Sequence, residues 1–598
     1  MRCNILFSAP LTLLLASTAA SQNDTNSCKC VPSDPCWPTP SDFAALNDTL
    51  SGRLIEGIPP ASVCYTSHPN YDAIACDAVL ANWFVSDFHA SDPISIGWPW
   101  WANNPCPPIY PNGTSVTGDT RAGEKGCGVG RYPVYAVNAT EEVHVIAAVR
   151  FAAERGIRLN VKNTGHSFLG RSTAFGSLSV WTHHLKGIQY QESFRPESCP
   201  SNETYTAFTL GAGERDREVY EAAHERNIAV VGGSNQNVGI VGWFSGGGHG
   251  PLSSTYGLGV DNVLQVKIVT PDGVFRTVNS CQEPDLFWAL RGGGGGTFGV
   301  ITEVTMKAHP DPQTTLHTFS MSLINLNNLT GFWDLVAYII SETPRLKAAG
   351  MQGYGGFEFS DHSFSWQYNV HDKPNGTVEE LFAPIAAKLD PEQGKTISYF
   401  TKVTHYPNSF ASWNDTIGFE SVAAGAPVLG SRLLPASALT NDTARLARVL
   451  QNITSSIEGL TSFRQLQLHL IANNNTEMIK ETSVTPAWRD AVLHFIIIEG
   501  HSDADTYEAS QPIINDMTKE KVAQLKALAP DSGAYLNECD PFDEDWQNDF
   551  WGEHYPRLRE LKMQYDPDSL LWCISCVGSE DWAVEESSGR LCQVSPAN

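Results

Sequence analysis

Three glycine-rich loops hold the residues of this chain whose types and spacing could do chemistry. The first runs from Val161 to Ser172, with Lys162-Asn163-Thr164-Gly165-His166-Ser167 at its centre. It is small, polar and rich in main-chain N–H groups, the makings of an anion-binding nest for a pyrophosphate. His166 stands in its middle. The second loop spans Asn235 to Gly250 and ends Phe244-Ser245-Gly246-Gly247-Gly248-His249-Gly250. The third, Arg291 to Gly299, has glycine at every position from Gly292 to Gly296. Glycine this dense lets a backbone approach a ligand closely and adopt positive φ. A flexible linker would also be glycine-rich, but each run here lies between regular elements. None ends in Gly-Lys-Ser/Thr, which excludes a P-loop. None has the acid spacing of a dinucleotide fingerprint.

Metal chemistry finds no support at this level. His183 and His184 are adjacent, and adjacent residues seldom chelate one ion. Cys573 and Cys576 have a redox or zinc spacing, but no second pair completes a zinc site. They read as a structural disulfide. The sequence therefore predicts no metal site.

The elements around the loops follow from periodicity. Val143 to Arg155 has a helical apolar pattern, with Thr140 as its expected cap, acids in the first turn and a break at Gly156. Arg158 to Val161 reads as the strand that delivers the first loop. Leu178 to Trp181, Tyr205 to Leu210 and Ala229 to Val231 read as further strands, with a helix from Asp216 to Asn227. Val263 to Thr270 and Val274 to Val278, joined by Pro271-Asp272-Gly273, read as a hairpin. Pro284 to Leu290 is a short helix before the third loop, and Val300 to Met306 a strand after it. Farther on, Leu329 to Ser341 and Ala444 to Ile457 read as helices, Phe463 to Ile471 and Val492 to Gly500 as strands. The end carries a distinctive run, Tyr535-Leu536-Asn537-Glu538-Cys539-Asp540, and later Tyr565-Asp566-Pro567-Asp568.

With 598 residues the chain is too long for one domain. A formal net charge of −26 argues against a nucleic-acid partner. Ile5 to Ala16 is apolar and precedes small residues, the pattern of a signal peptide cleaved near Ala20 and too short for a membrane span. Eleven Asn-X-Ser/Thr sequons, Asn47, Asn138, Asn328, Asn414 and Asn452 among them, fit a secreted glycoprotein. So do 14 cysteines, 13 without Cys3, an odd number that leaves one thiol unpaired or bonded elsewhere. Seven crowd between Cys28 and Cys127. The expected layout is a leader at 1–20, a Cys-, Trp- and Pro-rich extension at 21–130, a loop-bearing domain at 131–310, a second domain at 311–530 and a closing segment at 531–598. Trp98, Trp100 and Trp101 read as a plug fixing the extension to the body.

Together the motifs resemble the FAD-linked oxidoreductases of the vanillyl alcohol oxidase/p-cresol methylhydroxylase family, and most closely the berberine bridge enzyme-like branch in its secreted fungal form. Gly165-His166-Ser167 is similar to the family's pyrophosphate loop. Phe244 to Gly250 with Tyr256 to Asn262 is similar to its second binding loop. Pro284 to Val300 is the strongest match, and Tyr535-X-Asn537 and Tyr565 to Asp568 resemble the C-terminal signatures. The resemblance implies an α+β fold: a two-subdomain FAD-binding domain plus an α/β substrate domain with an antiparallel sheet. It implies FAD held by Lys162, Asn163, Thr164, Gly165, His166, Ser167, Asn235, Val238, Gly239, Ser245, Gly246, His249, Leu258, Val300 and Asn537. Asn235 stands where doubly linked relatives carry cysteine, so one covalent bond, through His166, is expected. Tyr535 is the first candidate base, with Glu538, His249 and Asp540 behind it. Glu538 stands where many carbohydrate-oxidising relatives have tyrosine, which weighs against the usual sugar-oxidase site.

The implied activity is a secreted, monomeric oxidase moving hydride from an alcohol, sugar or phenolic small molecule to flavin and then to oxygen, with neither membrane nor nucleic acid as partner. An oxidase of secondary-metabolite maturation, or a flavin-loaded binding protein without turnover, are the other readings.

Overall fold

The computed structural model describes residues 28–594, apart from 104, 360–361, 417–421, 424, 503, 505–506 and 586–587. The expected leader lies outside the described residues. No helix among them is long and apolar enough to cross a membrane.

Strands β1 (Leu54–Glu56), β2 (Tyr135–Asn138), β3 (Leu159–Lys162) and β4 (Leu178–Trp181) form a mixed sheet in the order β1-β2-β4-β3. The parallel pairs β2·β4 and β3·β4 require a crossover. The helix Glu142–Arg155 supplies it, burying Val145, Ala148, Val149 and Ala152 at helical spacing. Gly156, at φ +61°, caps it in the left-handed conformation. Thr140 is not the cap, because the helix starts a residue later, after Glu141. The Thr140 hydroxyl lies 3.4 Å from His144 Nδ1 instead.

The second sheet is antiparallel: β5 (Ile188–Phe194), β6 (Tyr205–Gly211), β7 (Ile228–Val230), β8 (Val263–Val269), β9 (Phe275–Asn279) and β10 (Val300–Pro310). The expected hairpin is present, with Gly273 at φ +71° between β8 and β9. Each glycine loop joins elements of these sheets, so rigid scaffolding holds it.

The third sheet has seven antiparallel strands, β11 (Thr314–Leu323), β12 (Gln352–Glu358), β13 (Ser363–His371), β14 (Ile397–Tyr406), β15 (Ala426–Pro435), β16 (Phe463–Leu470) and β17 (Ala491–His501), in the order β14-β11-β13-β12-β16-β17-β15. Its residues alternate. Phe319, Met321, Phe364 and Trp366 enter a large core with Phe332, Val336 and Ile340 of the helix Leu329–Ser341 and Leu446 and Leu450 of the helix Thr443–Ile453. The intervening residues, Thr318, Ser320, Ser365 and Gln367, form the opposite, polar face.

The closing segment returns to the first two sheets. Leu159 N–H donates to Leu570 O at 3.1 Å, and Lys562 Nζ to Thr297 O at 2.8 Å. A buried Arg489–Asp261 pair, with contacts of 2.7 and 2.8 Å, ties the seven-stranded sheet's approach to the second loop.

Disulfides join Cys28–Cys592, Cys30–Cys36, Cys64–Cys76, Cys106–Cys127, Cys199–Cys281 and Cys573–Cys576. Cys539 is left as a buried thiol. Most of the N-terminal crowd pairs within the extension, while Cys28 reaches across the chain. Trp98 stacks on Phe168 with centroids 5.3 Å apart, and Trp101 Nε1 donates to Phe168 O at 2.8 Å. The tryptophans therefore pin the extension against the first loop.

Candidate functional site

A cavity of about 1020 Å³ runs between the glycine loops and the polar face of the seven-stranded sheet. Asn163, Thr164, Gly165, His166 and Ser167 line it from the first loop. Gly165 sits at φ +80°, where a Cβ would meet Ile96 Cα and Ser95 O at 3.0 Å. Its carbonyl accepts from Gly97 N–H at 2.9 Å. The extension thus presses the His166 loop into shape. Asn163 Nδ2 donates to Ala212 O at 3.0 Å and braces the loop from the other side.

Asn235, Val238, Gly239 and His249 line the cavity from the second loop, and Gly295 and Gly296 from the third. Asn537 also lines it, and its Nδ2 donates to Gly242 O at 3.1 Å and to the Tyr535 hydroxyl at 2.8 Å.

Five expected ligand-holding residues lie behind this wall. Lys162 is fully buried and turns towards the extension, donating to Asp92 O at 2.7 Å and His89 O at 3.1 Å. Those carbonyls claim its ammonium, and burial lowers its pKa to about 7. Leu258 and Val300 are apolar and belong to the core. The Ser245 hydroxyl donates back to Val241 O at 2.6 Å. Gly246 leaves room for Asn537, whose Oδ1 would lie 2.7 Å from a Cβ there.

Arg171 went unassigned in the sequence, though it closes the first loop. It lines the cavity, and its three guanidinium nitrogens are buried without a hydrogen-bond partner. Burial lowers its pKa to about 10, which leaves it cationic at neutral pH. A buried cation needs an acceptor. An extended, phosphate-bearing cofactor lying along main-chain N–H groups would provide one, so the donor set fits FAD.

Opposite the loops stands a cluster of His249, His469, His494 and Glu538. Glu538 Oε2 accepts from His494 Nε2 at 2.8 Å and from His249 Nε2 at 3.2 Å. His249 Nδ1 lies 3.2 Å from the Tyr354 hydroxyl. Tyr354, His469 and His494 are register partners on β12, β16 and β17, so all three project from one face of the sheet. His249 comes from the second loop and Glu538 from the closing segment. Glu538 is half-buried, and His249 and His494 hold its carboxyl well below the usual carboxylate range. Burial drives the pKa of His494 down, and that of His469 well down. The cluster is thus a carboxylate among imidazoles, on the cavity wall.

Tyr535 also lines the cavity, but its position disfavours the role of base. Burial and the Glu538 charge raise its pKa, and Asn537 already donates to its oxygen. Asp540 is buried beside the site without lining the cavity, accepting from Phe542 N–H at 2.9 Å. Asn235 Oδ1 folds back on Asn237 N–H at 2.8 Å. The sequence singled out neither His469 nor His494, which share no motif with His249 or Glu538. Only strand register brings them together.

Comparisons with known proteins agree with this layout. Residues 133–279 match the profile of an FAD binding domain, and residues 534–573 one described as berberine and berberine like. The FAD-linked oxidoreductase apf9 of Gibberella fujikuroi is 34% identical over 97% of this chain and 98% of its own length. The crystal structure of the VAO-type flavoprotein MtVAO713 from Myceliophthora thermophila superposes with a TM-score of 0.86 at 30% identity, covering 95% of this chain and 100% of that one. Glucooligosaccharide oxidase from Acremonium strictum shares the fold at 18% identity, with a TM-score of 0.59 over 75% of this chain and 92% of its own. A loop-lined cavity with an unpaired cation, full-length likeness to a flavoprotein and a berberine-type closing segment lead to one conclusion: the chain is an FAD-dependent oxidoreductase and belongs to the berberine bridge enzyme-like branch of the vanillyl alcohol oxidase/p-cresol methylhydroxylase family.

Proposed function

We propose that this protein is a secreted, monomeric oxidase that removes hydride from a hydroxyl-bearing carbon of a polar small molecule. One observation carries the reading: a single cavity joins the glycine loops to a sheet face of hydroxyls and amides, with the Glu538 cluster on its wall. FAD bound there would supply a two-electron acceptor for the substrate's hydride and, once reduced, a donor to oxygen.

The chain's own residues do the rest. Asn163, Thr164, Gly165, Ser167, Val238, Gly239 and Asn537 hold the cofactor, with Arg171 as counter-cation. His166 carries the single covalent bond, since a neutral imidazole can act as nucleophile near pH 7. The Acremonium strictum enzyme is described as having a 6-S-cysteinyl, 8α-N1-histidyl FAD. Here Asn235 stands in the second loop, and the one free thiol among the described residues, Cys539, points its S–H at Leu536 O. Nothing there offers the second sulfur.

His249 and Glu538 together take the hydroxyl proton. The carboxylate compensates the positive charge that builds on the imidazole, the logic of any acid–histidine pair. Thr318, Ser320, Ser365, Gln367 and Gln467 offer donors and acceptors to a substrate rich in hydroxyls. Secretion draws support from the six disulfides and from the sequon asparagines, of which Asn112, Asn202, Asn375, Asn414, Asn441, Asn452 and Asn474 are exposed.

The test is a visible spectrum before and after acid precipitation, followed by a peroxide-coupled screen of alcohols, phenols and oligosaccharides. A yellow pellet and peroxide release are expected. A bound flavin that no donor reduces would make the protein a binder instead.

A further inference from the structure

We propose that His249, His469, His494 and Glu538 form a binding site for one divalent transition-metal cation of the zinc class, in the cavity wall. One ligand atom from each residue lies within 4.8 Å of all the others. Zinc bonds of about 2.0–2.2 Å in a tetrahedron set neighbouring ligand atoms roughly 3.3 Å apart. The His494–Glu538 and His249–Glu538 contacts, at 2.8 and 3.2 Å, are already near that spacing. A movement on the order of 1 Å at the remaining side chains closes the set.

His469 makes the case independent of the hydrogen-bonded trio. It is 6% exposed, lines the cavity, and its Nδ1 is buried without a hydrogen-bond partner. A buried imidazole without a partner is costly to keep. A cation among the four residues would take the lone pair of its unprotonated ring nitrogen. His249 has an outer partner in place, whereas His494 Nδ1 is buried without one. When His249 and His494 give their Nε2 lone pairs to the metal, each keeps one proton, moved to Nδ1. The Tyr354 hydroxyl, 3.2 Å from His249 Nδ1, accepts that proton's hydrogen bond. A metal-bound histidine commonly has such an outer partner. No proton is gained or lost overall, and Glu538 balances half of the cation's charge. Three imidazoles and a carboxylate select zinc, copper, nickel or iron over magnesium or calcium. Two other gatherings of potential ligands, around Cys28–Cys592 and Cys30–Cys36, have their sulfurs locked in disulfides.

The site faces the same cavity as the reading above and deepens it. With the cation in place His249 Nε2 is a ligand rather than a base; the substrate's hydroxyl oxygen would enter as a fifth ligand, and the Glu538 oxygen left off the metal would receive its proton. Metal binding itself is measured apart from turnover, so the two ideas can fail separately.

The holoprotein, free of affinity-tag histidines, is stripped with chelator and dialysed against zinc, and its metal is counted by plasma mass spectrometry. Cobalt is then substituted, and its visible bands are read at wavelengths beyond the flavin absorbance. Wild type should hold about one zinc per chain and give the cobalt bands of a low-coordinate nitrogen/oxygen site. His469→Gln and Glu538→Gln, each keeping a wild-type flavin spectrum as the sign of a folded chain, should lose both signals. Wild type that stays below a tenth of an equivalent overturns the proposal. So does equal zinc in wild type and both variants, which would put the metal elsewhere.

Discussion

His469 and His494 stand opposite each other on the antiparallel strands β16 and β17, with ring centroids 5.7 Å apart. Tyr354 is the next register partner along the same row. Glu538 reaches this row from the closing segment, and His249 from the second glycine loop. The chemical part of the cavity is therefore assembled where three separate stretches of chain meet, over a face whose other side chains are mostly hydroxyls and amides.

Glu538→Gln should cut kcat by about 10²–10⁴-fold, because the imidazole charge then builds without its counter-anion. Flavin absorbance should be unchanged. Tyr535→Phe should cost far less, since its phenol is held protonated by burial and by Glu538. Steady-state peroxide assays compare the two. A larger loss in the tyrosine variant would return the base role to Tyr535.

His166→Ala should release the flavin. Acid-precipitated wild type should be yellow and the variant's pellet colourless, with its colour in the supernatant. Gly165→Ala should weaken flavin incorporation too, as a Cβ there would meet Ile96 and Ser95 at 3.0 Å from a left-handed backbone.

Arg489→Met should destabilise the fold by about 3–5 kcal/mol, the usual cost of stranding one member of a buried ion pair. Asp261 would lose both contacts and keep only the Leu258 N–H at 2.9 Å. Denaturant midpoints of holoprotein and variant measure this. Equal midpoints would show that the pair only orients the two sheets.

The stability contributed by the buried carboxyls of Asp216 and Asp540 should fall as pH rises from acid to neutral. Burial pushes the Asp216 carboxyl from 3.8 up to about 7, and that of Asp540 up to about 6. An acid whose pKa is raised by folding keeps its proton longer in the folded state. Its contribution is full below the unfolded value and is lost as pH climbs to the folded one. The window is therefore 3.8 to about 7 for Asp216, at about 1.4 kcal/mol per pKa unit. Across it the melting temperature of wild type should fall relative to that of Asp216→Asn, whose curve lacks this one contribution. An unchanged slope in that variant would assign the pH dependence to other groups.

Local signals in the sequence determined much of the scaffold. Helical spacing placed the helix ending at Gly156, period-two runs placed β4, β8 and β16, and the turn Pro271-Asp272-Gly273 placed its hairpin. The glycine loops declared the cofactor side because close backbone approach demands residues without a Cβ, whatever lies far away in the chain. The tertiary structure alone decided the rest. Lys162 sits in a loop whose neighbours line the cavity, yet carbonyls of the extension, remote in sequence, capture it. Arg171 looks like any loop arginine until burial removes its partners. His469 and His494 carry no spacing rule, because a cross-strand pair is set by register between segments that periodicity treats one at a time. Side chains within a turn or strand obey local geometry, but a site built at the meeting of distant segments exists only once the chain has packed.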